Sequence, residues 1–222
     1  MYRRNQIETA IARSTWQVSG PDGEPMLSLR HDLKRLIDTD RNFPNLGHEA
    51  AAPERRFAFA EGEGPGKGVE HDYTALDALA LTVAFSLCRA GLTQRRAVRK
   101  VRQLRPWLKR EVTGRLDMTY RSVFAGLDER DREHAVNSID SPIHDESQRL
   151  YLALTLDDSN DLVTAGRDEL VNLFTGRTSM SDVLSALGVS ASPVLVIDLG
   201  SAFVRLVHWL DRTLPVRRGR KG

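Results

Sequence analysis

Between Thr74 and Leu92 the chain carries a helix's length of residues that is apolar on most sides, with a signal to start it and a signal to stop it. Thr74 can act as N-cap with Asp77 at the third helical position, so that hydroxyl and carboxylate each satisfy an orphan backbone donor. Leu76, Leu79, Ala80, Val83, Phe85 and Leu87 then leave little polar face, so this helix has to be buried. Gly91 can adopt the left-handed conformation that closes a helix. A chain organised around such an element is expected to be mainly α with minor β, an α+β fold.

The segment that follows is opposite in character. Thr93 can cap a second helix, in which Ala97, Val98, Val101 and Leu104 share about a third of the circumference. Arg95, Arg96, Arg99, Lys100 and Arg102 are expected on the other side. From Arg89 to Arg115 ten basic residues face one acid, Glu111, a net charge of +9 in a chain whose total is +2. A nearly neutral protein with one strongly basic segment has a local electrostatic footprint, and nucleic acid is the polyanion that best fits it. Arg outnumbers Lys 27 to 5, so a solvated face in an Arg-rich composition would leave the same trace.

The other elements read less sharply. Residues 3–14 form a first helix with Ile7, Ala10 and Ile11 on one side, broken at Gly20-Pro21-Asp22-Gly23. Ser28 can cap a second helix with Leu29, Leu33, Leu36 and Ile37 inward and Arg30, His31, Lys34 and Arg35 outward. Residues 41–56 read as a loop. Arg56–Ala60 and Val69–Tyr73 read as two strands of a hairpin with a Gly-rich tip. Pro106 marks a break in the basic helix or a fresh start for Trp107 to Val112. Residues 126–149 are a polar connection with some helix. Arg149–Leu156 reads as a strand, 162–174 is ambiguous, Ser181–Leu187 is a short helix, Val194–Ile197 a buried strand and Ser201–Leu214 a closing amphipathic helix.

The run Tyr73-Thr74-Ala75-Leu76-Asp77, then Leu81, Leu87, Ala90-Gly91-Leu92-Thr93-Gln94 and Val98 to Leu104, resembles the MerR-like winged helix-turn-helix. The resemblance covers roughly residues 2–110. It implies a winged helix-turn-helix module over residues 1–112, a connection at 113–145 and a small α/β dimerisation or partner-binding module at 146–222. It nominates residues 28–38 as the helix that enters DNA, whereas charge density nominates 93–105. Either helix could lie in a major groove about 12 Å wide, where an arginine fork matches O6 and N7 of guanine. The DNA-contact set is therefore Arg30, Lys34, Arg35, Lys67 at the wing tip, Thr93, Gln94, Arg95, Arg96, Arg99, Lys100 and Arg102.

Catalytic signals are weak. Gly62–Gly68 lacks Walker spacing, because Glu61 and Gly68 stand where Gly and Ser or Thr are required. The six histidines show no ligand spacing, and no nucleophile, base and acid can be picked out as a set. No enzyme activity, metal or cofactor is expected. The single cysteine, Cys88, fits a reducing cytosol. The start of the chain has no apolar h-region, and Val194–Leu210 is interrupted by Asp198, Arg205 and His208. The expectation is a cytoplasmic, nucleoid-associated, sequence-specific transcriptional regulator that binds double-stranded DNA. It would be a homodimer through Phe203, Leu206, Val207, Trp209 and Leu210, with Trp209 exposed in the monomer. The alternative is an adaptor or anti-regulator that docks its basic helix on an acidic protein.

Overall fold

A computed structural model describes residues 1–19, 23–43, 56–60, 71–138, 140–145, 149–155, 171–175 and 194–215, without the side chains of 154, 155, 171–175 and 194. In chain order the described elements are α1 (Arg4–Ser14), β1 (Val18–Ser19), β2 (Glu24–Pro25), α2 (Leu27–Asn42), α3 (Ala75–Arg89) and α4 (Gln94–Glu111). A π-helical turn, Val112–Leu116, leads to α5 (Asp117–Val123) and α6 (Glu129–Asn137). The strands β3 (Leu150–Thr155), β4 (Val171–Thr175) and β5 (Val194–Asp198) and the helix α7 (Leu199–Arg212) follow. The protein is mainly helical with a few short antiparallel strands, an α+β fold. It divides into two compact units, Met1–Gly114 with Arg205–Gly222, and Arg115–Val204.

In the first unit α3 is buried at every position from Leu76 to Phe85, Asp77 and Thr82 included, as a helix apolar on most sides requires. Its start is the expected capping box: Asp77 N–H donates to Thr74 Oγ1 at 3.1 Å and Thr74 N–H to Asp77 Oδ2 at 2.8 Å. Gly91 follows at φ +102°, and Thr93 Oγ1 accepts from Arg96 N–H at 3.4 Å to open α4. Ile7, Ile11, Leu29, Leu33, Val98 and Val101 are buried core residues contributed by the helices α1, α2 and α4. The small β1–β2 hairpin, Val18 opposite Pro25, fills the interval between α1 and α2. Tyr2 and Tyr73 exchange backbone hydrogen bonds at 2.8 and 2.9 Å. The end of α7 belongs to this unit too: Tyr2 Oη donates to Asp211 at 2.8 Å, Gln6 Nε2 to the Thr213 carbonyl at 2.6 Å, and the Arg13 guanidinium lies 4.4 Å over the Trp209 ring.

In the second unit the sheet has the order β4-β3-β5, antiparallel throughout, with Leu152 opposite both Leu173 and Ile197. That arrangement is α+β rather than the expected α/β, since an α/β unit is built on parallel crossovers. Asp128 caps α6 by accepting from Asp131 N–H at 2.9 Å. Asp198 caps α7, accepting from Ser201 N–H at 2.9 Å and from its hydroxyl at 2.6 Å.

Several expectations are corrected. Helix α2 starts at Leu27, with Met26 at its N-cap and no side-chain cap, so Ser28 lies inside the first turn. Residues 56–60 form no strand. Their ladder donors are taken elsewhere, since the Asp40 carboxylate accepts from Ala58 N–H and Phe59 N–H at 2.9 and 3.2 Å. Helix α4 runs unbroken through Pro106. The proline removes one backbone bond, but buried Val98, Val101, Leu104 and Leu108 anchor the turns on either side. Leu195–Ile197 are half-buried rather than buried, because β5 is an edge of the sheet. The module expected over 146–222 is divided, with residues from Arg205 onward grouped in the first unit. Lys67, the wing tip and the helix expected at Ser181–Leu187 lie outside the described residues.

Candidate nucleic-acid interface

The basic side of the first unit is built on α2 and α4, and a buried polar network joins them. The apolar positions of α2 recur through Leu29, Leu33, Leu36 and Ile37, and Asp40 continues that stripe into the core. On α4 the inward stripe includes two arginines, Arg102 and Arg105, at 0% and 3% exposure. Arg102 Nε donates to Asp40 Oδ1 at 2.8 Å and its Nη2 to the Asp40 carbonyl at 2.7 Å. Arg105 Nη2 donates to Asp77 Oδ1 at 2.5 Å and Nη1 to the Ala58 carbonyl at 2.6 Å. The end of α2, residues 58–59, the start of α3 and the middle of α4 thus share one hydrogen-bonded network. Buried charges survive only when paired and bonded in this manner.

Arg102 is therefore not a surface residue, and its place in the expected DNA-contact set is corrected. Arg105 follows Val101 by four positions and Val98 by seven, and Arg102 follows Val98 by four. An arginine in phase with an apolar stripe was the available signal that these two turn inward. The rest of the basic surface divides by depth. On α2, Arg30, Lys34 and Arg35 are exposed, and so are His31 and Arg41. The exposed positions of that helix are Leu27, Ser28, Arg30, His31, Lys34, Arg35, Arg41 and Asn42, while its acids Asp32 and Asp38 are half-buried. The acid Glu24 stands 3.7 Å from Arg30 in an exposed pair of the kind worth little. On α4, Arg95 is exposed, whereas Gln94, Arg96, Arg99 and Lys100 are half-buried, and the last three are engaged in contacts of their own. Thr93 is exposed and serves as the cap.

The two helices meet at Phe43, the residue just past α2. Its ring is buried, and the guanidinium carbons of Arg102, Arg95 and Arg99 lie 4.9, 5.4 and 5.7 Å from its centre. Arg41 and Phe43 were outside the expected site because they fall in the stretch read as a loop. Next to Arg41 a shallow pocket is lined by Ile37, Asp40, Phe57, Phe59, His71 and Tyr73 among others. His71 stacks edge-on against Tyr73 with ring centres 4.6 Å apart, and burial holds its pKa below the ordinary histidine value. Burial likewise raises the pKa of the Tyr73 hydroxyl.

The residues expected to form a dimer contact are elsewhere and covered. Phe203, Leu206, Val207, Trp209 and Leu210 are each no more than 9% exposed within one chain. Trp209 in particular is buried beneath Arg13, not exposed as its position off the apolar stripe suggested. Their apolar surface is already used in folding. Among the described residues no helix is long and apolar enough to cross a membrane. Compared with protein-family models, curated proteins and solved structures, the chain matches none of them.

Proposed function

We propose that this chain is a regulator that binds double-stranded DNA through its first unit, with α2 as the helix that reads the major groove. The observation that carries this is the solvent face of α2, where Arg30, His31, Lys34, Arg35 and Arg41 are exposed while the acids of the helix, Asp32 and Asp38, are half-buried and Asp40 is buried. A helix with its side chains is about 10–12 Å across, which matches a major groove about 12 Å wide. Arg30 and Lys34 lie one turn apart on one face and Arg35 is set about 100° round the helix from Lys34, so that together they could reach base edges and a flanking phosphate. The half-buried arginines of α4 suit flanking phosphates better than bases, because a base reader needs a side chain that stands clear of its own helix. Short operators commonly have two half-sites, so two copies of the chain are the expected working unit.

The test is fluorescence anisotropy with the full chain and a random-sequence duplex over a salt series, followed by selection of bound sites from a random pool. Binding should weaken steeply with salt, by roughly 0.9 in the log–log slope for each phosphate neutralised. Arg30→Ala, Lys34→Ala and Arg35→Ala together should abolish sequence preference, while Arg95→Ala and Arg96→Ala should weaken all duplexes alike. Absence of salt-dependent binding by the unaltered chain would overturn the reading.

A further inference from the structure

Leu27 is an apolar side chain placed among cations. It opens α2 at 67% exposure, and no large apolar side chain on a described helix is more exposed. Two core residues of the helix, Leu29 and Leu36, come two and nine positions later and so lie across its axis from Leu27. Arg30, His31 and Lys34 follow Leu27 by three, four and seven positions, which places all four on one face, and all four are exposed. Even with Glu24 beside Arg30, the cations Arg30, Lys34 and Arg35 leave that face positive. The backbone that carries Leu27 is fixed on both sides. Met26 N–H donates to the Gln17 carbonyl at 3.0 Å, and Arg30 N–H to the Met26 carbonyl at 3.1 Å.

A surface that sets one leucine among cations fits a partner that is anionic and polar apart from isolated methyl groups. The major groove is such a partner, because phosphates form its walls and the C5-methyl of thymine is its apolar feature. Resting on the DNA-binding reading above, we propose that Leu27 is a specificity-determining residue that reads thymine through this methyl group. The first residues of a helix laid in the groove are the ones that approach base edges. Helical side chains also lean toward the N-terminus, so that of Leu27 reaches ahead of the helix. Cytosine has no C5-methyl, so the contact separates the two pyrimidines without a hydrogen bond of its own.

The experiment selects bound sites from a random duplex pool with the full chain, unaltered and as Leu27→Ala. The unaltered chain should require a thymine at a position where the variant does not. Deoxyuridine at that position removes only the methyl group. It should weaken the unaltered chain about fourfold, the worth of one buried methyl group, and leave Leu27→Ala unaffected. Leu27→Gln, polar at the same exposed site, is read in the same way. An unaltered chain that binds in a salt-dependent manner but loses nothing to deoxyuridine at any thymine overturns this proposal alone. So does a variant that keeps the thymine dependence and changes its oligomeric state in light scattering, which would assign Leu27 to a protein contact. An unaltered chain with no salt-dependent binding overturns the parent reading and this proposal with it.

Discussion

Asp40 is a small residue asked to hold three donors at once. Its carboxylate accepts from Arg102, Ala58 N–H and Phe59 N–H, and it is 3% exposed. Asp40→Leu should cost about 3–5 kcal/mol, because it strands a buried guanidinium and two backbone donors together. Urea denaturation measures this, and a loss under about 1 kcal/mol would mean that water reaches Arg102. His71 gives a second residue-level expectation. Its folded pKa lies below the ordinary 6.5, with desolvation the leading cause, opposed by Asp77 and Asp72 and reinforced by Arg41 and Arg105. The unfolded state therefore binds its proton more readily than the folded state does. The contribution of His71 is whole above pH 6.5 and is lost as pH falls through that value toward the folded pKa. Stability measured from about pH 8 down to about pH 5 should decline, and His71→Gln should decline less steeply; identical slopes would refute the assignment.

Individual elements differ in how much of them their own residues announce. Helix α3 was legible from end to end, since Thr74, Asp77 and Gly91 are local signals and its apolar composition admits only burial. Gly91 makes a clean test. At φ +102° a Cβ would meet no atom within 4 Å, so Gly91→Ala adds backbone strain and nothing else. The cost should be about 1–2 kcal/mol in thermal unfolding, and an unchanged melting temperature would show that the turn can relax. Helix α4 was legible in its existence and its cap but not in the partners of its inner face. The phase of Arg102 and Arg105 with Val98 and Val101 was a local signal that they turn inward, but their partners lie 62 and 28 positions away, and no window of neighbouring residues names those. Segment 56–60 failed for the same reason: its alternation suggested a strand, while the acceptor that claims its N–H groups sits on α2. In the candidate site, the exposed cations of α2 could be read from periodicity. The ring that gathers the α4 arginines could not, because Phe43 looked like the first apolar residue of a loop.

At the scale of the whole molecule, the change in composition led to an expected connection at 113–145, whereas the return of α7 to the first unit had no such signal. Trp209, Gln6 and Tyr2 show why: a cation over a ring and two polar bonds, the bonds across more than 200 positions, decide where the end of α7 belongs. A fragment of residues 1–114 should accordingly melt well below the full chain, since it lacks the partners of Tyr2, Gln6 and Arg13. A synthetic peptide of residues 199–215 added in trans should recover part of the loss in circular-dichroism melts. Equal melting of fragment and full chain would show that the first unit closes without it.

The same division has a consequence for biosynthesis. Translation delivers about 90 residues between Gly114 and Arg205, which at roughly 5–20 residues per second takes on the order of ten seconds. During that interval the nascent first unit lacks Trp209, Asp211 and Thr213, the partners of Arg13, Tyr2 and Gln6, and is expected to be open to chaperones and proteases. A ribosome that stalls before Arg212 releases a product that carries all of the α2 cations on an unfinished body, so completion of the surface is tied to completion of the helix.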